Sequence, residues 1–360
     1  MTRRHCQTNT RRKQLRTHWL PVSLLLLYLA SGGQGSYAAE NDLERGWTSL
    51  AGWSKDNDFK LTWTKENELL ALTNGTCTLS FKTDSQLAVI GGVNVWLCNP
   101  IRLKNGEAYI SSLDLNTSIE PILYPKTNLI HSTVQTICLD PGHGARDTGG
   151  VFGGYMEKRY TLPLAEELAQ QLKAAGFKVI LTRTNDTFVE LEDRPALANR
   201  QKADLFISLH FNIGPPGEAK GVEVYCLTPA GANSTDVGRW GDVSEWRDNL
   251  RAVPGNRCDD WNVLLAYQLQ KSLVKNLSAE DRGVRRARFA VLRTAEMPAV
   301  LIEGGFLTDS VEQKKIADPK YRAELAAAIV QGVKNYECVL QNHQPKEDEH
   351  ESTQHKKMGA

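Results

Sequence analysis

From Thr136 to about Tyr336 the chain alternates short apolar runs with stretches whose apolar residues recur at helical spacing, and this alternation restricts the fold more than any other feature. The runs "TICLD", "KVILTRT", "LFISLHFN", "GVEVYCL", "FAVLR" and "PAVLIEGG" read as strands. "LAEELAQQLKAAG" puts Leu164, Leu168 and Leu172 on one helical face, with Gly176 in place to end the helix. "LEDRPALANRQ", "WNVLLAYQLQKSL" and "YRAELAAAIVQGVKNY" read as further helices. Strands with little polar alternation need cover on both faces, so the expected class is α/β, a sheet with helices on both sides.

The chain before this region has a different pattern. Between Glu40 and Ile130, Phe59, Leu61 and Trp63 fall on one strand face, as do Cys77, Leu79 and Phe81, and Asn74-Gly75 is a hairpin signal between them. Residues 40–130 are therefore expected to form a small β-rich accessory domain. "YPKTNLIHST" is the linker to a second domain over 134–338. Arg3, Arg4, Arg11, Arg12, Lys13 and Arg16 precede the apolar run Leu20 to Ala30, and a small-x-small site follows at Ser36-Tyr37-Ala38. That order reads as a secretory signal peptide over 1–38. The run is shorter than the roughly 18 to 20 residues that span a bilayer, so membrane contact is expected only through an uncleaved leader. The polar end of the chain, 339–360, reads as a disordered tail.

Export makes disulfides possible, and Cys77–Cys98 and Cys226–Cys258 are the candidate pairs. The cysteines are too few for a disulfide-dependent scaffold, and none are spaced as CxxC. The 43 Lys and Arg against 42 Asp and Glu give a net charge of +1, which gives no reason to expect nucleic acid as a partner. Residues 228–260 are too long and too rich in Gly, Ser, Asn and Asp for a simple connection. They are expected to form a mobile loop near the site, with Trp240 and Trp246 available to touch sugar rings.

The histidines sort by position. His5 and His18 lie in the leader, His131 in the linker, and His343, His350 and His355 in the tail. Only His143 and His210 belong to the α/β region, and both stand at the ends of predicted strands, the edge where such sheets bind ligands. Two histidines do not complete a catalytic zinc site, which takes three protein ligands and keeps one position open. Glu157, on a glycine-rich approach to a helix expected to start near Thr161, is a candidate third ligand; a solvated charge beside Lys158 and Arg159 is the other reading. Glu303 ends a buried apolar run, where a carboxylate is costly unless paired or coordinated. It is either an acid/base group over the same edge or the cap of the Gly304-Gly305 turn.

"LDPGHGARDTGG", "EKRYTLPLAEEL", "LTRTNDTFVELEDRPALAN", "DLFISLHFN", "GVEVYCL", "RGVRRARFAVLR" and "MPAVLIEGGFLTD" together resemble, in family order, the zinc-dependent N-acetylmuramoyl-L-alanine amidases of bacterial cell-wall turnover. The resemblance implies the zinc amidase fold. It implies His143, Glu157 and His210 as Zn2+ ligands and Glu303 as the catalytic acid/base. It implies hydrolysis of the amide between N-acetylmuramic acid and L-alanine in peptidoglycan, outside the cytoplasm, in the periplasm or the cell wall, with a protein activator as a possible partner. A zinc peptidase acting on wall peptides and a non-catalytic wall-binding protein are the alternatives. "HFN" and "EGG" depart slightly from the commonest family forms. "GGVNVWLCNPIRLKNGEAYISSLDL" more faintly resembles the small N-terminal β domain of copper amine oxidases, with no copper chemistry implied.

Overall fold

The computed structural model describes residues 46–126, 133–235 and 251–342. The leader, His131, Trp240, Trp246 and all but the first residues of the tail lie outside them. The β-rich region begins with β1 (Trp47–Ser49) and α1 (Leu50–Asp56). Five strands then form an antiparallel meander: β2 (Lys60–Lys65), β3 (Leu69–Thr73), β4 (Thr78–Lys82), β5 (Leu87–Ile90) and β6 (Val93–Trp96). The Asn74-Gly75 turn closes the β3–β4 hairpin, with Asn74 Oδ1 accepting the Cys77 N–H at 2.7 Å. β8 (Glu107–Ser111) pairs with β1 on one side and β7 (Arg102–Lys104) on the other in a separate three-stranded sheet.

In the α/β region the elements are β9 (Thr136–Pro141), the hairpin β10 (Val151–Phe152) and β11 (Tyr155–Met156), α2 (Lys158–Ala174), β12 (Lys178–Leu181), α3 (Asp193–Arg200), β13 (Leu205–Asn212) and β14 (Val222–Leu227). They are followed by α4 (Asp259–Leu277), β15 (Asp281–Ala287), α5 (Ala290–Arg293), β16 (Ala299–Phe306), α6 (Ser310–Ala317) and α7 (Pro319–Asn342). β12, β9, β13 and β16 lie side by side in parallel, and β14 joins β16 in the opposite direction. β15 continues parallel to β14 and then meets β6, so the meander extends the same sheet to eleven strands.

The two faces of this sheet bury different groups, as the period-two alternation of strands requires. Ile137 and Leu139 of β9, Ile207 and Leu209 of β13, and Val300 and Ile302 of β16 belong to the large core under α2, α4 and α7. Cys138, Phe206, Ala299 and Leu301 face the other way, into a smaller cluster with Ala198 of α3 and Val291 and Leu292 of α5. Short helices cover that second face only in part. Ser208, His210 and Glu303 follow Phe206 and Leu301 at two-residue steps, and so lie where this cover runs out.

Three local expectations are corrected. "FAVLR" is not a strand: the strand is β15, and Ala290–Arg293 is a helical turn. Arginines hid β15, because Arg285 and Arg286 are buried in it through polar partners. Arg286 is 1% exposed, bonds Leu227 O and Ser118 Oγ, and also bonds Thr117 O, fastening the π-helical stretch Leu115–Ile119 to the sheet. Second, α2 starts at Lys158, not near Thr161, with Glu157 at its N-cap and Pro163 inside the helix. Third, neither disulfide forms: Cys77, Cys98, Cys226 and Cys258 are all free thiols. Cys226 is in a central strand with its thiol on the Arg285 carbonyl, whereas the Cys258 thiol is turned to the carbonyl of Glu296.

Candidate metal centre

His143 follows β9 in the tight turn Pro141-Gly142-His143-Gly144. Its own φ is 61°, and Gly144 and Ala145 also have positive φ, so the chain reverses within three residues. A β-carbon at Gly142 would sit 2.3 Å from the His210 ring, so only glycine lets the turn pass over that imidazole. His210 projects from within β13, and its ring meets that of His143 edge-on with centroids 4.9 Å apart. Glu157 bridges them. Its Oε2 lies 3.0 Å from His143 Nε2 and its Oε1 2.8 Å from His210 Nδ1. The backbone N–H groups of Gly150 and Phe211 donate to the same two oxygens at 2.8 and 3.1 Å.

The outer nitrogens are held as well. His143 Nδ1 is 2.8 Å from Asp147 Oδ2, and His210 Nε2 is 3.2 Å from Ser208 Oγ. Ser208 donates to Asp140, a fully buried carboxylate that also accepts from Thr182 and forms a 2.8 Å ion pair with Arg194. Arg194 in turn donates to the carbonyls of Pro141, His143 and Val189. Arg183 donates to the carbonyls of Pro141 and Gly142. The turn that aims His143 is thus pinned by two buried guanidiniums. Partners beyond the ligand atoms fix ring orientation and tautomer in metal sites.

One donor atom from each of His143, Glu157 and His210 lies within 4.8 Å of the others, a set that can hold a metal ion. Two imidazoles and one carboxylate, each oriented from behind, fit zinc and leave a coordination position for water. Burial alone would lower the His143 pKa, but the hydrogen bonds it donates to the Glu157 and Asp147 carboxylates, and their charges, outweigh it and hold the imidazole above its ordinary value. Burial would raise the Glu157 pKa, and the two histidines overcome it, so this carboxyl stays ionised far below neutrality.

Glu303 stands beside this cluster. It is in register with His210 on the parallel neighbour β13 and with Glu223 on the antiparallel neighbour β14. His143, Glu157, His210 and Glu303 line one cavity of about 320 Å³, whose lining also includes Leu191, Phe289 and Val291. Glu223 is fully buried between Arg282 and Arg285, at 3.0 and 2.9 Å. The structure therefore brings together all four residues singled out from the sequence. Sequence reasoning did not single out Asp147, Ser208, Asp140, Arg194 or Glu223. Asp147 alone left a signal, a carboxylate four residues after His143 in the same glycine-rich loop.

A family model described as N-acetylmuramoyl-L-alanine amidase matches residues 137–335, more than half of the chain and every residue of this cluster. The chain belongs to the N-acetylmuramoyl-L-alanine amidase family. Among family members it is similar to the amidase LytC of Bacillus subtilis, 30% identical over 261 residues covering 72% of this chain and 47% of LytC. It is 34% identical over 216 residues to the amidase AmiC of Neisseria meningitidis, covering 56% of this chain and 52% of AmiC. With AmiA of Escherichia coli it shares 31% identity over 262 residues, covering 65% of this chain and 90% of AmiA. The chain thus spans about half the length of LytC and AmiC.

Proposed function

We propose that the protein is a zinc hydrolase of peptidoglycan, cleaving the amide between N-acetylmuramic acid and the L-alanine of the stem peptide. The observation that carries this reading is the convergence of His143, Glu157 and His210 on one point of a cavity that Glu303 also lines, in a chain of this family. His143, Glu157 and His210 would hold the zinc ion, which when bound would supply Lewis acidity and make water acidic enough to attack near neutral pH. Glu303 accepts the proton of the attacking water on its carboxylate and delivers it to the departing amine nitrogen. Leu191, Phe289 and Val291 give the same cavity apolar carbon against which a substrate can pack. Asp147 and Ser208 keep the two imidazoles presented through Nε2 and Nδ1 respectively. We place this activity outside the cytoplasm, on the strength of the leader pattern; among the described residues no helix is long and apolar enough to cross a membrane.

Chelation is expected to abolish hydrolysis and added zinc to restore it. The pH dependence of zinc binding has a defined sign. Binding needs neutral imidazole, and His143 in the metal-free protein titrates above its ordinary value. Protons therefore compete with zinc on the acid side, so apparent affinity rises with pH and levels off once the raised His143 pKa is passed. Glu157, ionised throughout, adds no such competition near neutrality. Competitive chelator titrations between about pH 6 and 8 check this; an affinity that falls as pH rises through that range contradicts it.

A further inference from the structure

Asn212 stands two residues beyond His210 on β13 and lines the metal cavity, although it is only 9% exposed. Its side-chain amide is held at both ends. Oδ1 accepts the Ile213 N–H at 2.8 Å, and Nδ2 donates to Glu223 Oε1, so the two partners distinguish the carbonyl end from the amino end. The backbone is pinned as well, with the Asn212 carbonyl accepting the Leu307 N–H at 2.8 Å.

Glu223, which holds the amino end, is itself fully engaged. Its Oε1 also accepts the Tyr225 hydroxyl at 3.1 Å, and its Oε2 lies 3.0 Å from Arg282 Nε and 2.9 Å from Arg285 Nε. The β-rich region backs this pair of guanidiniums: Arg285 lies 4.6 Å over the Trp96 ring, and Trp96 Nε1 donates to the Arg282 carbonyl at 2.8 Å. Two cations and a hydroxyl satisfy the buried carboxylate without Asn212. The bond between Asn212 and Glu223 therefore serves to orient the amide. A buried ionic cluster of this kind costs desolvation and is weak evidence for stability, whereas a rigid polar group at a cavity wall is what binding requires.

A primary amide carries two N–H hydrogens. Among the described residues Nδ2 donates to Glu223 alone, which leaves the second hydrogen to an acceptor that enters the cavity. The donor is neutral, and Glu223 and the cavity-lining Glu303 are both acidic, so a neutral oxygen suits it better than a carboxylate. We propose that Asn212 is a further substrate-binding residue, giving its second Nδ2 hydrogen to an amide carbonyl of the substrate beside the scissile bond. Two groups there have this chemistry, the N-acetyl carbonyl of the muramic acid and the carbonyl of L-alanine. The inference rests on the amidase reading above.

The test uses the zinc-loaded protein and three soluble compounds: a muramoyl dipeptide, its analogue with a hydroxyl in place of the acetamido group, and its analogue with an alkene in place of the peptide bond that follows L-alanine. In the unmodified protein the analogue lacking the bound carbonyl is expected to have a KM higher by about 3- to 15-fold, the range of one neutral hydrogen bond. Asn212→Ala should raise KM for the parent dipeptide by the same factor, more than it changes kcat, and should abolish that analogue's deficit at unchanged zinc content. The deficit that vanishes identifies which carbonyl is held. Asn212→Ser, too short to reach the same acceptor, is the second variant and should behave alike. A role confined to holding the end of β13 would lower the melting temperature and shift all three KM values together. That pattern, equal KM values for the three compounds in the unmodified protein, or deficits that survive both substitutions, overturns the proposal. An unmodified protein that cleaves none of the three counts against the amidase reading instead, and calorimetric binding of the same compounds then decides the contact by the same contrast.

Discussion

Glu303→Gln is expected to lower turnover by ~10²- to 10⁴-fold while leaving the metal bound, the usual cost of losing a positioned acid/base group. The amide has nearly the size of the carboxylate and keeps a hydrogen-bonding oxygen, so the central strand β16 and its register with His210 and Glu223 should survive. What is lost is an oxygen basic enough to accept the water's proton. His143→Ala should behave differently. It removes one of three converging donors, so zinc content and activity should fall together. If Glu303 only capped the Gly304-Gly305 turn, its substitution would lower the melting temperature and spare the rate per zinc-loaded molecule. Zinc content, melting temperature and rate measured on the same preparations separate these cases. A zinc-loaded Glu303→Gln protein with near-normal turnover removes Glu303 from the mechanism.

Arg194→Met should be the most destabilising single change near the site, by about 3–5 kcal/mol. Arg194 and Asp140 are 1% and 0% exposed and pair at 2.8 Å, so deleting the guanidinium leaves a buried carboxylate with only the hydroxyls of Thr182 and Ser208. The same guanidinium holds the carbonyls of Pro141, His143 and Val189, and thereby the turn that aims His143. Zinc affinity should therefore fall along with stability. Arg194→Lys keeps the charge but not the planar fork, and is expected to recover only part of the loss. Chemical denaturation with and without zinc provides the check; a loss under about 1 kcal/mol would show that the buried pair does not brace the turn.

What could be read from the residues follows from periodicity. Alternation along β9, β13 and β16 sends every second side chain to the same face, so His210 and Glu303, each at the polar end of an apolar run, were bound to share a sheet edge. His143 was legible because a histidine between glycines after an apolar strand has few other uses. The supporting shell was not legible. Nothing local to Arg194 or Arg183 marks them as buried, since arginine in a polar stretch reads as solvated until its partners, 42 and 54 residues away, are known. The same ambiguity concealed β15, whose two buried arginines break the apolar pattern that identifies strands. The disulfide expectation failed because separation along the chain carries no information about which way two thiols point. The loop expected over 228–260 falls partly on residues outside those described, and its two tryptophans with it.

The central claim is that a zinc-dependent activity severs the bond between glycan and peptide. Mass analysis of peptidoglycan digested by the purified protein, with chelator and with zinc restored, tests it most directly. The account predicts zinc-dependent release of intact stem peptides beginning at L-alanine, with glycan chains whose lactyl carboxyl groups are free. Fragments cut between amino acids, with the muramoyl–alanine amide intact, would contradict it.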